Sequence, residues 1–215
     1  MLNRKPDAFH LTSPDAISSV GQAPTRGLAL GRVLDLTVAV VALTVLAVPM
    51  VILGLVIRLT SKGPALFAQQ RIGYRGQIFT MYKFRTMRTG VVGISVNGSC
   101  KLDGDARVTS IGAFLRKTSL DELPQLLNVL FGDMSLVGPR PCLEWEARMF
   151  PAQFQPRFSV RPGITGLWQI SGRSTVSTLE MLQLDLAYVR TRNRVGDLSI
   201  LLRTVPSLLR DHSAR

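Results

Sequence analysis

From Leu36 to Ile57 the chain runs for 22 residues without a charge. A straight helix of that length measures about 33 Å, enough for a hydrocarbon core of about 30 Å. No polar stripe runs along it, so it reads as a membrane segment rather than the core helix of a soluble domain. Pro49 divides the run. A proline there removes one backbone hydrogen bond and predicts a kink. Basic residues stand on both sides, Arg26 and Arg32 before and Arg58, Lys62, Arg71 and Arg75 after, so charge gives no inside–outside bias. Two readings stand on this ground. One is a kinked single span. The other is a helix-break-helix that returns to the face it entered, with the break covered by protein. Asp35, at the edge, is placed to pair with Arg32 or a later basic residue.

The pattern after Ile57 is that of a folded domain. Lys62-Gly-Pro64 is a turn. Leu66 to Met87 mixes aromatic and polar residues around Gly73 and Gly76, predicting two short strands and a tight connection. Strand alternation sets Lys83 and Arg85 on one face and Tyr82 and Phe84 on the other. Gly90 to Lys101 reads as a loop, and Asp103-Gly-Asp-Ala-Arg107 as either a surface turn or the charged rim of a site. Short helices are expected over Ile111–Lys117 and Glu144–Phe150, with Pro151 and Pro156 breaking the chain beyond the second. In Phe158 to Arg173, Pro162, Gly163, Gly166 and Gly172 lie too close for regular elements. They predict compact loops whose N–H groups approach a ligand, or a plain connector. Leu179–Arg190 is amphipathic at helical spacing. Leu198, Leu201, Leu202 and Val205 form a second stripe, suited to lipid contact or to core packing.

These elements predict a mainly α fold with small β elements (α+β). The organisation is a flexible tail over 1–27, a membrane segment over 28–60, a folded domain over 61–210 and a tail over 211–215. The formal net charge of +12 calls for an anionic partner: nucleic acid, an acidic membrane face or phosphorylated substrates. Cys100 and Cys142 sit in no paired spacing, which suggests a reducing compartment and no disulfide. His10 and His212 lie near the termini and argue against a histidine triad or zinc site.

The candidate chemistry lies at Asp121 and Glu122, side by side between Arg116-Lys117 and the Pro139-Arg140-Pro141 turn. Adjacent carboxylates can hold a divalent metal or attack phosphorus, and arginines grip phosphate oxygens. A structural reading competes. Ser119 with Glu122 fits a capping box that opens a helix carrying Leu123, Leu126, Leu127 and Leu130 on one face. With Asp121 as the cap instead, Pro124 falls in the free first turn.

Six blocks in order carry a resemblance: Arg32-Val-Leu-Asp35, Lys83-Phe-Arg-Thr-Met87, Asp105-Ala-Arg-Val-Thr109, Phe114 through Gln125, Gly132 through Pro141, and Arg161-Pro-Gly-Ile-Thr-Gly-Leu-Trp-Gln169. From about Gly31 to Ser207 the chain resembles the bacterial polyprenyl-phosphate phosphoglycosyl transferases, the sugar transferases that start surface-glycan synthesis, in their compact form. The resemblance implies that Asp121 is the nucleophile toward the β-phosphate of a UDP-sugar, with release of UMP. A polyprenyl phosphate, undecaprenyl phosphate in bacteria, would then take the phosphosugar. It implies Glu122 as an assisting residue and Mg²⁺ as cofactor with Asp121 as its ligand. Substrate contacts are expected from Lys83, Arg85, Arg107, Arg116, Arg140, Arg161, Gly163, Trp168, Gln169 and Arg173. It implies a cytoplasm-facing domain on the inner membrane and favours the re-entrant helix, although the family often has Ser-Pro where this chain has Val48-Pro49. No nucleic-acid partner is expected. Two other classes remain as contrasts: a membrane-tethered protein whose basic face binds nucleic acid or anionic lipid, and a glycosyltransferase that moves the sugar alone and releases UDP.

Overall fold

The computed structural model describes residues 28–89, 105, 107–172 and 176–210. Both predicted tails, the loop Gly90–Lys101 and Arg173 lie outside the described residues.

Helix α1, Leu28–Thr60, takes up the whole apolar run. It continues through Pro49 as one element, so the expected division into two helices is absent. The reason is local: proline costs a helix one hydrogen bond, and the good apolar sequence on both sides carries the element across. One seam of α1 faces the domain. Ala39 is fully buried, with Ala42 and Leu43 beside it, and Met50 and Leu53 pack around buried Ile57. These positions recur at helical spacing. The opposite face is bare: Val45 and Val48 are 70% and 68% exposed.

Polar contacts fasten both ends of α1 to the same domain. Asp35 accepts from the Ser135 hydroxyl at 2.6 Å and the Leu136 N–H at 3.1 Å, rather than pairing with an arginine. Arg32 donates to the carbonyls of Val129 (2.6 Å) and Met134 (3.2 Å). At the far end Arg85 is buried and donates to the carbonyls of Ile57 (3.2 Å), Ser61 (2.8 Å) and Lys62 (2.8 Å). The last carbonyls of a helix have no partner within it, and a cation there also suits the helix dipole. Gly63 makes room for this cap. Its φ is +116°, and a Cβ there would lie 2.2 Å from an Arg85 nitrogen.

The expected hairpin forms as β1 (Leu66–Ile72) and β2 (Ile78–Phe84), antiparallel around a 3-10 turn at Tyr74–Gly76. Phe67 lies opposite Lys83, Gln69 opposite Met81 and Arg71 opposite Phe79, so Arg71, Met81 and Lys83 share a face. Met81 on that face is buried in the core. The strand ends at Phe84, so Arg85 leaves the alternation and turns inward to cap α1.

Helix α2, Ser110–Thr118, is capped by Thr109, whose hydroxyl accepts the Gly112 N–H at 3.0 Å. Helix α3, Gln125–Phe131, starts later than the acid pair. Its Asn128 is fully buried and binds the edge of β2, accepting the Tyr82 N–H (3.0 Å) and donating to the Thr80 carbonyl (2.7 Å). Strand β3 (Ser135–Val137), α4 (Glu144–Met149) and a 3-10 stretch over Ala152–Ser159 come next, the last running through Pro156 rather than stopping there. Strand β4 (Gly163–Thr165) pairs parallel with β3, and α5 (Leu167–Ile170), α6 (Thr178–Thr191) and α7 (Arg194–Arg210) complete the chain. Among the described residues the fold is thus mainly helical with two small sheets, in line with the expected α+β class.

On α7 the apolar residues divide between two faces. Ile200 is buried with Leu201 beside it, whereas Val195, Leu198, Leu202 and Val205 are all more than half exposed. Most of the predicted stripe therefore points outward.

Candidate active site

Asp121 and Glu122 sit between two helices, not within one. Helix α2 stops at Ser119, whose φ of +55° is left-handed, and the chain then makes a 3-10 turn over Leu120–Glu122. No side-chain cap is made by Ser119, and Pro124 precedes the first residue of α3, so neither capping arrangement is present. The threefold period of a 3-10 turn puts Leu120 and Leu123 on one side. Both pack against Ile57, Phe84 and Leu115. Asp121 and Glu122 are thereby directed elsewhere. The apolar spacing that suggested a helix cap instead anchors the turn that carries the acids.

Asp121 is only 9% exposed. Burial pushes its carboxyl up to about 6, with a further rise from the neighbouring Glu122, while Lys83 and Arg116 pull it down. Glu122 is bonded to the Lys83 ammonium at 2.7 Å. Arg116 is held in place by its Nε, which donates to the Thr86 hydroxyl at 3.0 Å. A carboxyl in this setting is ionised at neutral pH yet more basic than an exposed aspartate, which suits a nucleophile toward phosphorus.

Arg140 is linked to the acid pair through Arg71, whose guanidinium senses both Arg140 and Glu122. The Arg140 guanidinium lies over the Trp168 ring, 5.3 Å from the centroid. Its backbone is fixed from below. Arg157, 2% exposed, donates to the Arg140 carbonyl at 2.8 Å and to Asp185 Oδ2 at 2.6 Å, stacked between Phe150 and Phe158. Beside Arg140 stands Arg71, a residue not among the expected contacts. Burial and then the charge of Arg140 hold its guanidinium below the usual value, against the opposing pull of Glu146, which pairs with it at 3.7 Å, and more weakly of Glu122. It donates to the Pro141 carbonyl at 3.4 Å, and its Nε is buried without a partner. Its signal in the sequence is the period-2 relation to Gln69, on the face it shares with Lys83 across the hairpin.

Other expected contacts lie elsewhere or are already occupied. The Arg85 guanidinium caps α1. Arg107 grips Asp105 through Nε (2.9 Å) and Nη2 (2.6 Å), holding that carboxyl down at about 2. The Gly163 N–H donates to the Pro139 carbonyl at 3.0 Å. Cβ atoms at Gly138, Gly163 and Gly166 would fall 2.4, 2.1 and 2.3 Å from backbone atoms across the β3–β4 crossing. These glycines allow two backbones to touch rather than opening a loop to a ligand. Trp168 is buried under Arg140 with its indole N–H unpartnered, and the Gln169 amide N–H donates to the Ile164 carbonyl at 3.2 Å. Arg161 donates to the Gly132 carbonyl at 2.7 Å and stacks on Tyr74, at the opposite end of α3 from Asp121.

Among the described residues no cluster of three or more metal-ligating side chains occurs. Two adjacent carboxylates still fit Mg²⁺, which commonly takes one or two protein carboxylates and completes its shell with water and substrate phosphate.

Three curated proteins show what the chain is similar to. It is 46% identical over 192 residues to the UDP-glucose:undecaprenyl-phosphate glucose-1-phosphate transferase of Caulobacter vibrioides, covering 85% of this chain and 71% of that protein. It is 43% identical over 188 residues to the galactosyl transferase CpsE of Streptococcus agalactiae, covering 83% of this chain and 42% of that longer protein. It is 39% identical over 191 residues to the exopolysaccharide production protein ExoY of Sinorhizobium fredii, covering 82% and 84%. The family described as bacterial sugar transferase matches residues 27–211, a stretch that takes in α1, the acid pair and its surrounding cations together. The chain therefore belongs to the bacterial sugar transferase family.

Proposed function

We propose that this chain is an undecaprenyl-phosphate sugar-1-phosphate transferase that works through a covalent intermediate on Asp121. A carboxylate oxygen of Asp121 attacks the β-phosphorus of a UDP-sugar. The bond to the bridging oxygen breaks and UMP leaves. An oxygen of polyprenyl phosphate then attacks the same phosphorus, the acyl phosphate bond breaks, and the free carboxylate returns with a polyprenyl diphosphate sugar as product. The observation that carries this reading is the buried Asp121, raised to about 6 beside Glu122 and facing Lys83 and Arg116.

The cations have distinct tasks. Lys83 and Arg116 stabilise charge on the transferring phosphoryl group, and Arg140, steadied by Trp168 and Arg157, offers a fork to its oxygens. Arg71 and Arg140 repel one another, a repulsion that Glu146, paired with Arg71 at 3.7 Å, offsets in part and a substrate phosphate would offset further. Mg²⁺ held by Asp121, with Glu122 beside it, would supply charge neutralisation on the pyrophosphate. Glu122 keeps Asp121 basic through its own charge and is within reach to manage a proton on the incoming lipid phosphate.

The membrane reading rests on α1. Fastening by Arg32 and Asp35 near one end and by Arg85 at the other holds the unbroken helix along the domain, which supports a helix that lies in one face of the bilayer rather than one that crosses it. Its bare face meets lipid and its seam meets the domain, so backbone satisfaction does not require a full crossing. The domain then works at the cytoplasmic face of the inner membrane in surface-glycan synthesis.

Incubation with a UDP-sugar alone, followed by intact mass spectrometry and peptide mapping, tests the chemistry. The expected result is one phosphosugar on the peptide containing Asp121, with equimolar UMP. Release of UDP, or an adduct on another residue, overturns the proposal.

A further inference from the structure

A cavity of about 450 Å³ opens between the start of α1 and the start of α7. None of Asp121, Glu122, Lys83 or Arg116 lines it. It lies at the far end of α3, where Arg32 binds the last carbonyls and Arg161 binds Gly132. The seven residues of α3 separate it from Asp121 by about 10 Å of helix.

Five arginines line this cavity, Arg32, Arg75, Arg161, Arg192 and Arg194, against two aspartates. Both aspartates are engaged: Asp35 with Ser135 and Leu136, and Asp197 with the Tyr188 hydroxyl at 2.9 Å. The guanidinium groups of Arg192 and Arg194, by contrast, make no hydrogen bond and no ion pair within 4 Å among the described residues, although the charge of Arg192 acts on Asp197. The rim is apolar on two sides. Val33 and Leu34 of α1 are 56% and 48% exposed, and Val195 and Leu198 of α7 are 79% and 54% exposed. A cationic hollow between two bare apolar helices matches a molecule with a phosphate head and hydrocarbon tails.

We propose that this cavity binds the phosphate head of an anionic glycerophospholipid, with the acyl chains along the exposed residues of α1 and α7. The separation from Asp121 argues against polyprenyl phosphate as its occupant, because a phosphate held there cannot reach the transferred phosphorus. The site sets the seating of the protein on an anionic leaflet and gives the outward stripe of α7 its role. It rests on the membrane placement proposed for α1 but not on the chemistry proposed for Asp121.

The test uses the full chain in detergent, offered equimolar phosphatidylglycerol and phosphatidylcholine and analysed by native mass spectrometry. Wild type is expected to retain phosphatidylglycerol preferentially. Arg192→Gln with Arg194→Gln is expected to lower that preference roughly tenfold, since each cation near an anionic head contributes about tenfold or less in affinity. The lysine pair at the same positions is expected to keep most of it. UMP release in detergent at saturating substrate is expected to be unchanged in both variants. Equal retention of the two lipids by wild type, an unaltered preference in the glutamine variant, or displacement of phosphatidylglycerol by equimolar polyprenyl phosphate overturns the proposal. Failure of wild type to release UMP sinks the transferase reading instead and leaves lipid retention as a separate result.

Discussion

Replacing Asp121 with asparagine is expected to stabilise the protein while abolishing turnover. The carboxyl sits at about 6 in the folded chain against an ordinary 3.8. The native state thus holds this proton more tightly than the unfolded chain, and stability falls as pH rises between those two values. At about 1.4 kcal/mol per pH unit, ionised Asp121 costs about 3 kcal/mol at pH 7.5 and about 1 kcal/mol at pH 4.5. Asparagine keeps the shape and removes the charge, so most of that difference returns as stability. Part of the cost belongs to the Asp121–Glu122 pair, which makes 3 kcal/mol an upper figure. Thermal unfolding in detergent, followed by tryptophan fluorescence at both pH values, measures the effect. The variant should melt several degrees higher at pH 7.5, with the gain shrinking at pH 4.5. A variant less stable than wild type at pH 7.5, or a gain that does not change with pH, would refute the claim that burial raises this carboxyl.

The same electrostatics predicts that the acid limb of kcat/KM falls near pH 6. Lys83→Met, which removes a nearby cation, should move that limb upward by on the order of one pH unit. An unmoved limb would show that Lys83 does not act on Asp121. Arg157→Met strands Asp185 in the core and should destabilise the fold by about 3–5 kcal/mol, with Arg157→Met/Asp185→Leu recovering much of it in denaturant titrations. Equal losses in the single and double variants would contradict this. Gly163→Ala, whose Cβ would meet the Gly138 nitrogen at 2.1 Å, should cost about 4 kcal/mol or more and show as loss of folded protein on size exclusion. EDTA should stop UMP release and Mg²⁺ restore it, whereas full turnover under EDTA would exclude the metal from the reaction.

Local patterns are legible where local forces decide. The hairpin is readable from its alternation and from the glycines around its turn. Helices α2 and α4 are readable from short amphipathic runs. The acid pair stands out through the ordered motifs around it, since by itself it fits a helix cap as well as a site. The features hidden from the sequence are those decided at long range. Arg85 looks like a partner of Lys83 by strand period, but the strand ends one residue earlier and the unpaired carbonyls of α1 draw the guanidinium in. Gly163 looks like a ligand loop, yet its missing side chain serves a backbone more than twenty residues earlier in the chain, at Gly138. Arg71 does not stand out because its setting comes from burial and from Arg140 and Glu146, none adjacent in sequence. Ser119 looks like a helix start and is a helix stop, a choice made by its positive φ.

The two polar fastenings of α1 bear on how this protein would answer a change of bilayer. A rod that pierces both leaflets can tilt independently when the hydrocarbon thickens or thins. A rod tied at either tip to one rigid body has no such freedom, so on the membrane placement proposed above the protein would float with a single leaflet. On that placement, Arg32, Asp35 and Arg85 would set the height of Asp121 above the lipid. Such an enzyme would keep the same reach to a lipid phosphate in thin and thick membranes alike.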